Sequence, residues 1–295
     1  MSFKFSGHQT FVFRYGWLEK GVDLVRNNPK GFNADDAIVT LGVGKNMVES
    51  IKYWCLQTGL IMESSVPGAM CLTSLGEYIF GNFDAEGVDP YLEDDASLWL
   101  LHYNVVARAP ESATSIAINS LNKPEFSKAE LFDFLRRYLD GKVKVSDKTL
   151  GRDVDCFIHA YVGTKSRNSE ESLDCPFLSL SLIQPTIDSD LYRINIGNKQ
   201  NLPIELIGYA LLNLMTEGSS SINLYNATYA KHSPGQIFKL SDNAIVDAVL
   251  GLEQLTNGDF TFTDTAGINT INYTSNVKKQ VYAQKLLDKY YGVSK

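Results

Sequence analysis

Two groups of side chains in this chain of 295 residues have the chemistry to act on a phosphodiester. The first lies in "GHQTFVFRYGWLEKG", residues 7–21, where His8, Arg14, Tyr15 and Lys20 sit among four aromatic rings. An imidazole and a phenol can move protons, a guanidinium can clasp a phosphate with two hydrogen bonds, and an ammonium supplies a point charge. The second is the acidic run Asp89, Glu93 and Asp95, hard oxygen donors suited to Mg²⁺ or Mn²⁺. Together they have the parts of a metal-assisted phosphodiester hydrolase, the metal on the carboxylates and the phosphate steadied by Arg14 or Lys20.

Each group also has a structural reading. Phe11 and Phe13 alternate about Val12 as in a strand, with Trp17 and Leu18 completing a core, so the aromatic half of the motif reads as packing. Glu93, Asp94 and Asp95 directly precede the apolar run "SLWLL", where carboxylates cap a helix and complement its dipole. His102, after that run, reads as a core histidine and His232 as a turn residue; four scattered histidines make no metal site.

The elements that must hold these groups read as helix, turn, helix and hairpin, three times. In the first unit a helix from Asp35 to Leu41, a turn at Gly42 and Gly44, and a helix from Lys45 to Thr58 precede a hairpin at Pro67–Gly68 and a helix from Ser74. On the second helix Met47, Val48, Ile51, Trp54 and Cys55 gather inward, which presents Lys45, Asn46, Lys52 and Tyr53 to DNA. In the second unit helices from Ser127 to Asp140 and from Ser146 to Tyr161 precede a hairpin in "SLIQPTIDSDLYRINIG". Lys148, Arg152 and His159 face outward there, and Arg136, Arg137, Lys142, Lys144, Lys165 and Arg167 lie close enough in sequence to contact phosphates. The third unit carries Asp242, Asp247 and Glu253 outward, which would repel phosphate and suits protein packing.

The expected fold class is α+β, mostly α-helical, with multiple winged helix-turn-helix-like units. The expected divisions are an N-terminal unit over 1–82, an acidic helix and connector over 83–125, a second unit over 126–200 and a third over 201–295. Residues 110–125 read as loop.

A formal net charge of −7 argues against DNA binding through total charge, yet the stretch from Arg136 to Arg167 is locally basic. No apolar run reaches the roughly 20 residues of a membrane span, and the start has no signal-peptide pattern, so a cytoplasmic protein is expected. Cys55, Cys71, Cys156 and Cys175 form no C-x-x-C pair and read as free thiols, the first and third buried. No organic cofactor is expected.

The opening motif, "DPYLEDDASLWLLHYNV", "SPGQIFKLSD" and the terminal "LLDKYYG" together resemble a bacterial family, long classed as a domain of unknown function, that includes the SspB proteins of DNA phosphorothioation and anti-phage defence systems. The resemblance runs over essentially the whole chain. It implies a cytoplasmic DNA nickase working beside sulfur-transfer proteins: a cysteine desulfurase, a phosphoadenosine-phosphosulfate-reductase-like enzyme and an ATPase. DNA and a second copy of the chain are the other expected partners, and a non-catalytic DNA-binding adaptor or a transcriptional regulator is the rival role.

Overall fold

The computed structural model describes residues 2–162, 175–187 and 190–293. It is an α+β protein, mostly helical, with three small antiparallel sheets among the described residues. The chain divides into two compact units, Met1–Ile194 and Asn195–Lys295, so the elements of the first three expected divisions share one unit. No described helix is long and apolar enough to cross a membrane.

In the first unit α1 (Trp17–Asn27) starts after Tyr15–Gly16, where Gly16 takes φ +77°, a conformation that glycine adopts without strain. Helices α2 (Ala37–Leu41) and α3 (Lys45–Gln57) follow, joined through a left-handed Gly42 as the turn chemistry predicts. The hairpin forms from β1 (Ile61–Glu63) and β2 (Met70–Leu72), and Thr73 caps α4 (Ser74–Phe80). Helix α5 (Asp95–Tyr103) continues into a wider π turn over Asn104–Arg108. Every residue from Ala96 to Tyr103 is buried, as a helix apolar on all sides must be.

Residues 110–125 are not simply loop. A capping box between Ser112 and Ser115 starts α6 (Ala113–Ser120), buried over seven of its eight residues. Its small, β-branched and hydroxyl residues make no polar face, so periodicity had nothing to detect. Then come β3 (Glu125–Ser127), α7 (Lys128–Leu139) with a Ser127–Glu130 capping box, and α8 (Asp147–Val162). A 3-10 turn at Pro176–Leu180 leads to β4 (Ile183–Pro185) and β5 (Leu191–Ile194). The sheet order is β3-β5-β4, so the strand before the helix pair joins the later hairpin.

A similar order, with one helix more between the first strand and the hairpin and another after it, occurs in the second unit: α9 (Ile204–Leu214), β6 (Ser221–Asn223), α10 (Leu224–Tyr229), α11 (Pro234–Phe238), α12 (Asp242–Leu255), β7 (Phe260–Thr265), β8 (Ile268–Tyr273) and α13 (Lys279–Tyr290). The sheet runs β6-β8-β7. Lys239, at φ +54°, separates α11 from α12. Lys199 is buried as well. Its ammonium donates to the carbonyls of Asn195, Gly197 and Lys239 at 2.9, 2.8 and 3.2 Å, and desolvation lowers its pKa to about 8.

The core of the first unit centres on rings. Phe13, fully buried, lies 5.3 Å from Trp54 on α3 and 4.8 Å from Phe177, which stacks on Tyr161 of α8. His102 is a core histidine, its Nδ1 2.8 Å from the Tyr161 hydroxyl. The segment carrying Phe11 and Phe13 is not a strand; only Phe13 is fully enclosed, and Phe11 is half-buried. Truncating Phe13→Ala should destabilise the protein by about 3–5 kcal/mol, seen as a lower urea midpoint. A loss under about 1 kcal/mol would show that the ring cluster is not the centre of this core.

Candidate nucleic-acid interface

The N-terminal segment before α1 lies across α3 and α8 like a strap. The Phe11 carbonyl accepts hydrogen bonds from Trp54 Nε1 at 3.0 Å, Ser50 Oγ at 3.5 Å and Cys156 Sγ at 3.6 Å. Both oxygens of the buried Asp153 accept the Ser6 N–H, each at 3.1 Å. His8 is 3% exposed. Its Nδ1 accepts the Thr10 N–H at 3.0 Å, which assigns the ring proton to Nε2. Nε2 lies 3.2 Å from Asp153 Oδ1, close enough for attraction but out of line for an aligned hydrogen bond.

This cover corrects part of the sequence reading. Tyr53 does not present itself to DNA: it is 6% exposed, and its ring packs against Gly7 and edge-on to His8. Burial first, then the nearby Cys156 and Asp153, holds its phenol well above the ordinary range. Ser50 and Gln57, on the same expected outer face, are also buried. Lys45 and Asn46 remain exposed at the start of α3, and Lys52 is half-buried. A wheel separates apolar from polar residues, but it cannot show that a distant strap will cover the polar arc.

The four expected catalytic residues contact different elements. His8 faces α8. Arg14 is half-buried with its guanidinium 5.6 Å from the Trp17 ring centroid. Tyr15 is 54% exposed, and burial with the negative charge of Asp95 holds its phenol above the ordinary range. Lys20 Nζ donates to the Leu41 carbonyl at 3.2 Å, at the end of α2.

The acidic run acts on the backbone. Asp89, 7% exposed, accepts the N–H of Glu93 at 2.9 Å on Oδ1 and of Asp94 at 3.1 Å on Oδ2. Asp94 accepts the Ala96 N–H at 2.8 Å and caps α5. Each Asp89 oxygen is thus engaged by a backbone N–H, whereas Glu93 is exposed and Asp95 half-buried. No group of three or more His, Cys, Asp or Glu among the described residues is arranged to hold a metal ion.

The second helix pair is more open. Lys148, Arg152 and His159 are all exposed on one side of α8, and Arg136 and Arg137 near the end of α7 and Lys142 and Lys144 in the turn are exposed too. Opposing charge is partial: Arg136 lies 3.7 Å from Asp147, Lys128 pairs with Asp155, and Lys142 rests 3.5 Å over the Tyr138 ring. Among the described residues Arg137, Lys144, Lys148 and Arg152 form no ion pair. Arg136, Leu139, Lys142, Lys144, Asp147 and Leu150 line an open cleft of about 650 Å³ at the turn. Lys165 and Arg167 fall outside the described residues.

Sequence reading missed Asp153. Its position was informative, since Asp153 falls between Leu150 and Phe157 on the inward arc of α8, where an unpartnered acid is rarely tolerated.

The class these features define is an α+β protein of repeated helix–strand units with one exposed cationic face. The chain belongs to a family described as "Protein of unknown function (DUF4007)", whose model matches residues 5–291. It is similar to two solved crystal structures, one of magnesium ion-bound SspB and one of SspB, with TM-scores of 0.88 and 0.87. Each is 28% identical, over 98% of this chain and 88% of the SspB chain. No curated protein matches the chain. The family resemblance read from the sequence motifs thus holds.

Replacing Asp89 by Ala removes the side-chain acceptors of two backbone N–H groups and should cost about 1–2 kcal/mol, read as a lower Tm. The rise in Tm that added Mg²⁺ gives should be as large in the substituted protein as in wild type; a rise abolished by the substitution would make Asp89 a metal ligand instead.

Proposed function

We propose that this protein binds DNA through α7, α8 and their turn and nicks one strand as part of a phosphorothioate modification and defence system. The observation that carries the reading is the row of cations without ion pairs, Arg137, Lys144, Lys148 and Arg152, on an otherwise acidic chain. The element order helix, strand, helix, helix, hairpin, with the first strand beside the last, supports a winged-helix reading in which α8 is the helix offered to the groove. The likeness to SspB supplies the biological setting.

In this reading Glu93 and Asp95 would hold a magnesium or manganese ion, since Mg²⁺ commonly uses only one or two carboxylates, and the chemistry it would supply is positive charge against the phosphate. Tyr15, whose phenol feels the charge of Asp95, is the candidate in this reading for moving a proton at the leaving or attacking oxygen. The engagement of Asp89 with backbone favours a second reading, a non-catalytic DNA-binding adaptor that recruits the sulfur-transfer proteins.

For DNA binding, Arg152→Ala should weaken affinity for any duplex, and the slope of log K against log salt should fall in magnitude by about one. Fluorescence anisotropy across a salt series reads both. An unchanged slope would remove α8 from the interface. For catalysis, purified protein with supercoiled plasmid and Mg²⁺ or Mn²⁺ should yield open circles, and Glu93→Ala together with Asp95→Ala should stop it. Supercoils that persist despite tight binding would leave the adaptor.

A further inference from the structure

The unit Asn195–Lys295 resembles the α7 and α8 region in its sheet order and its strand–helices–hairpin sequence, but its surface has different chemistry. On α10, Tyr225 is 70% exposed and Tyr229 49% exposed, and their rings lie 5.1 Å apart at 48°. Two neighbouring tyrosines left in water on a helix otherwise anchored by buried Leu224, Ala227 and Thr228 are not explained by the core. Beside them, the Tyr229 hydroxyl donates to Asp242 Oδ2 at 3.1 Å. Burial, and then this bond, holds the Tyr229 phenol above the ordinary range. The other oxygen, Asp242 Oδ1, is shielded and accepts no hydrogen bond. Asp247, exposed on the following turn of α12, forms no ion pair among the described residues.

We propose that the face formed by Tyr225, Tyr229 and Asp242 docks an arginine from a basic segment of a partner protein. Charge selects the occupant: the Asp242 carboxylate beside the rings repels the phosphates of DNA and attracts a cation. Shape selects arginine over lysine, because a flat guanidinium stacks on a tyrosine ring while its N–H groups reach a carboxylate. Asp242 Oδ1, which accepts no hydrogen bond, is the oxygen to which a guanidinium would donate. One unit then holds nucleic acid and the other holds protein, each with its own version of a similar element order.

The test uses the full chain carrying fluorine-labelled tyrosine and two short basic peptides that differ only in Arg against Lys. The Arg peptide should shift the Tyr225 and Tyr229 resonances and bind about three- to fivefold more tightly than the Lys peptide. Tyr225→Ala should remove that preference, and Asp242→Asn should weaken the Arg peptide about tenfold. No shift with the Arg peptide, equal binding of the two peptides, or unchanged binding in both variants overturns the proposal. So does a dimer in sedimentation that Tyr225→Ala dissolves, which would make a second copy the occupant. Loss of duplex affinity in Tyr225→Ala would likewise assign the face to nucleic acid.

Discussion

The first unit depends on a single peptide carbonyl and a single carboxylate. Phe11 C=O takes up Trp54 Nε1 from α3 and Cys156 Sγ from α8, and Asp153 takes up the Ser6 N–H beside His8. The strap reaches these partners only by accepting positive φ at Ser6, Gln9 and Thr10, which costs free energy unless surrounding contacts hold it. Those contacts, with Phe13 inserted between Trp54 and Phe177, fix α3 and α8 against one segment. The motif that looked catalytic is, at His8 and Phe13, a device for joining two helices.

A consequence is asymmetry between two helices of similar sequence character. The strap closes the face of α3 at Ser50 and Tyr53, while α8 meets the strap with Asp153 and Cys156 and keeps Lys148, Arg152 and His159 outside. Only α8 retains a continuous polar face. The acidic segment is similarly divided in use, since Asp89 and Asp94 shape the entry to α5 through backbone N–H groups and Glu93 faces solvent. Carboxylates that satisfy backbone donors rigidify a turn, and here they set the position of the buried helix from which the rest of the unit is packed.

Legibility in the sequence followed the range of the interactions. Helices α3, α7 and α8, the hairpin at Pro67–Gly68 and the outward side of α8 were readable because apolar spacing, caps and turn residues are local signals. Buried Cys55 and Cys156 followed from the same periodicity. The burial of Tyr53 was not readable, because its cover is Gly7 and His8, more than forty positions away in the chain. Helix α6 was missed for lack of a polar face, and Asp153 because a charged residue on an apolar arc announces a partner without naming it. Family strings carried kinship that periodicity could not.

The central claim is that α8, with the end of α7 and the turn between them, is the surface that meets DNA, and that α3 is closed to it by the strap. Hydrogen–deuterium exchange of the full chain with and without a duplex oligonucleotide tests this directly. The account predicts slowed exchange over residues 136–152 with α3 unchanged. Slowing confined to α3 or to residues 195–293, with α8 unaffected, would contradict it.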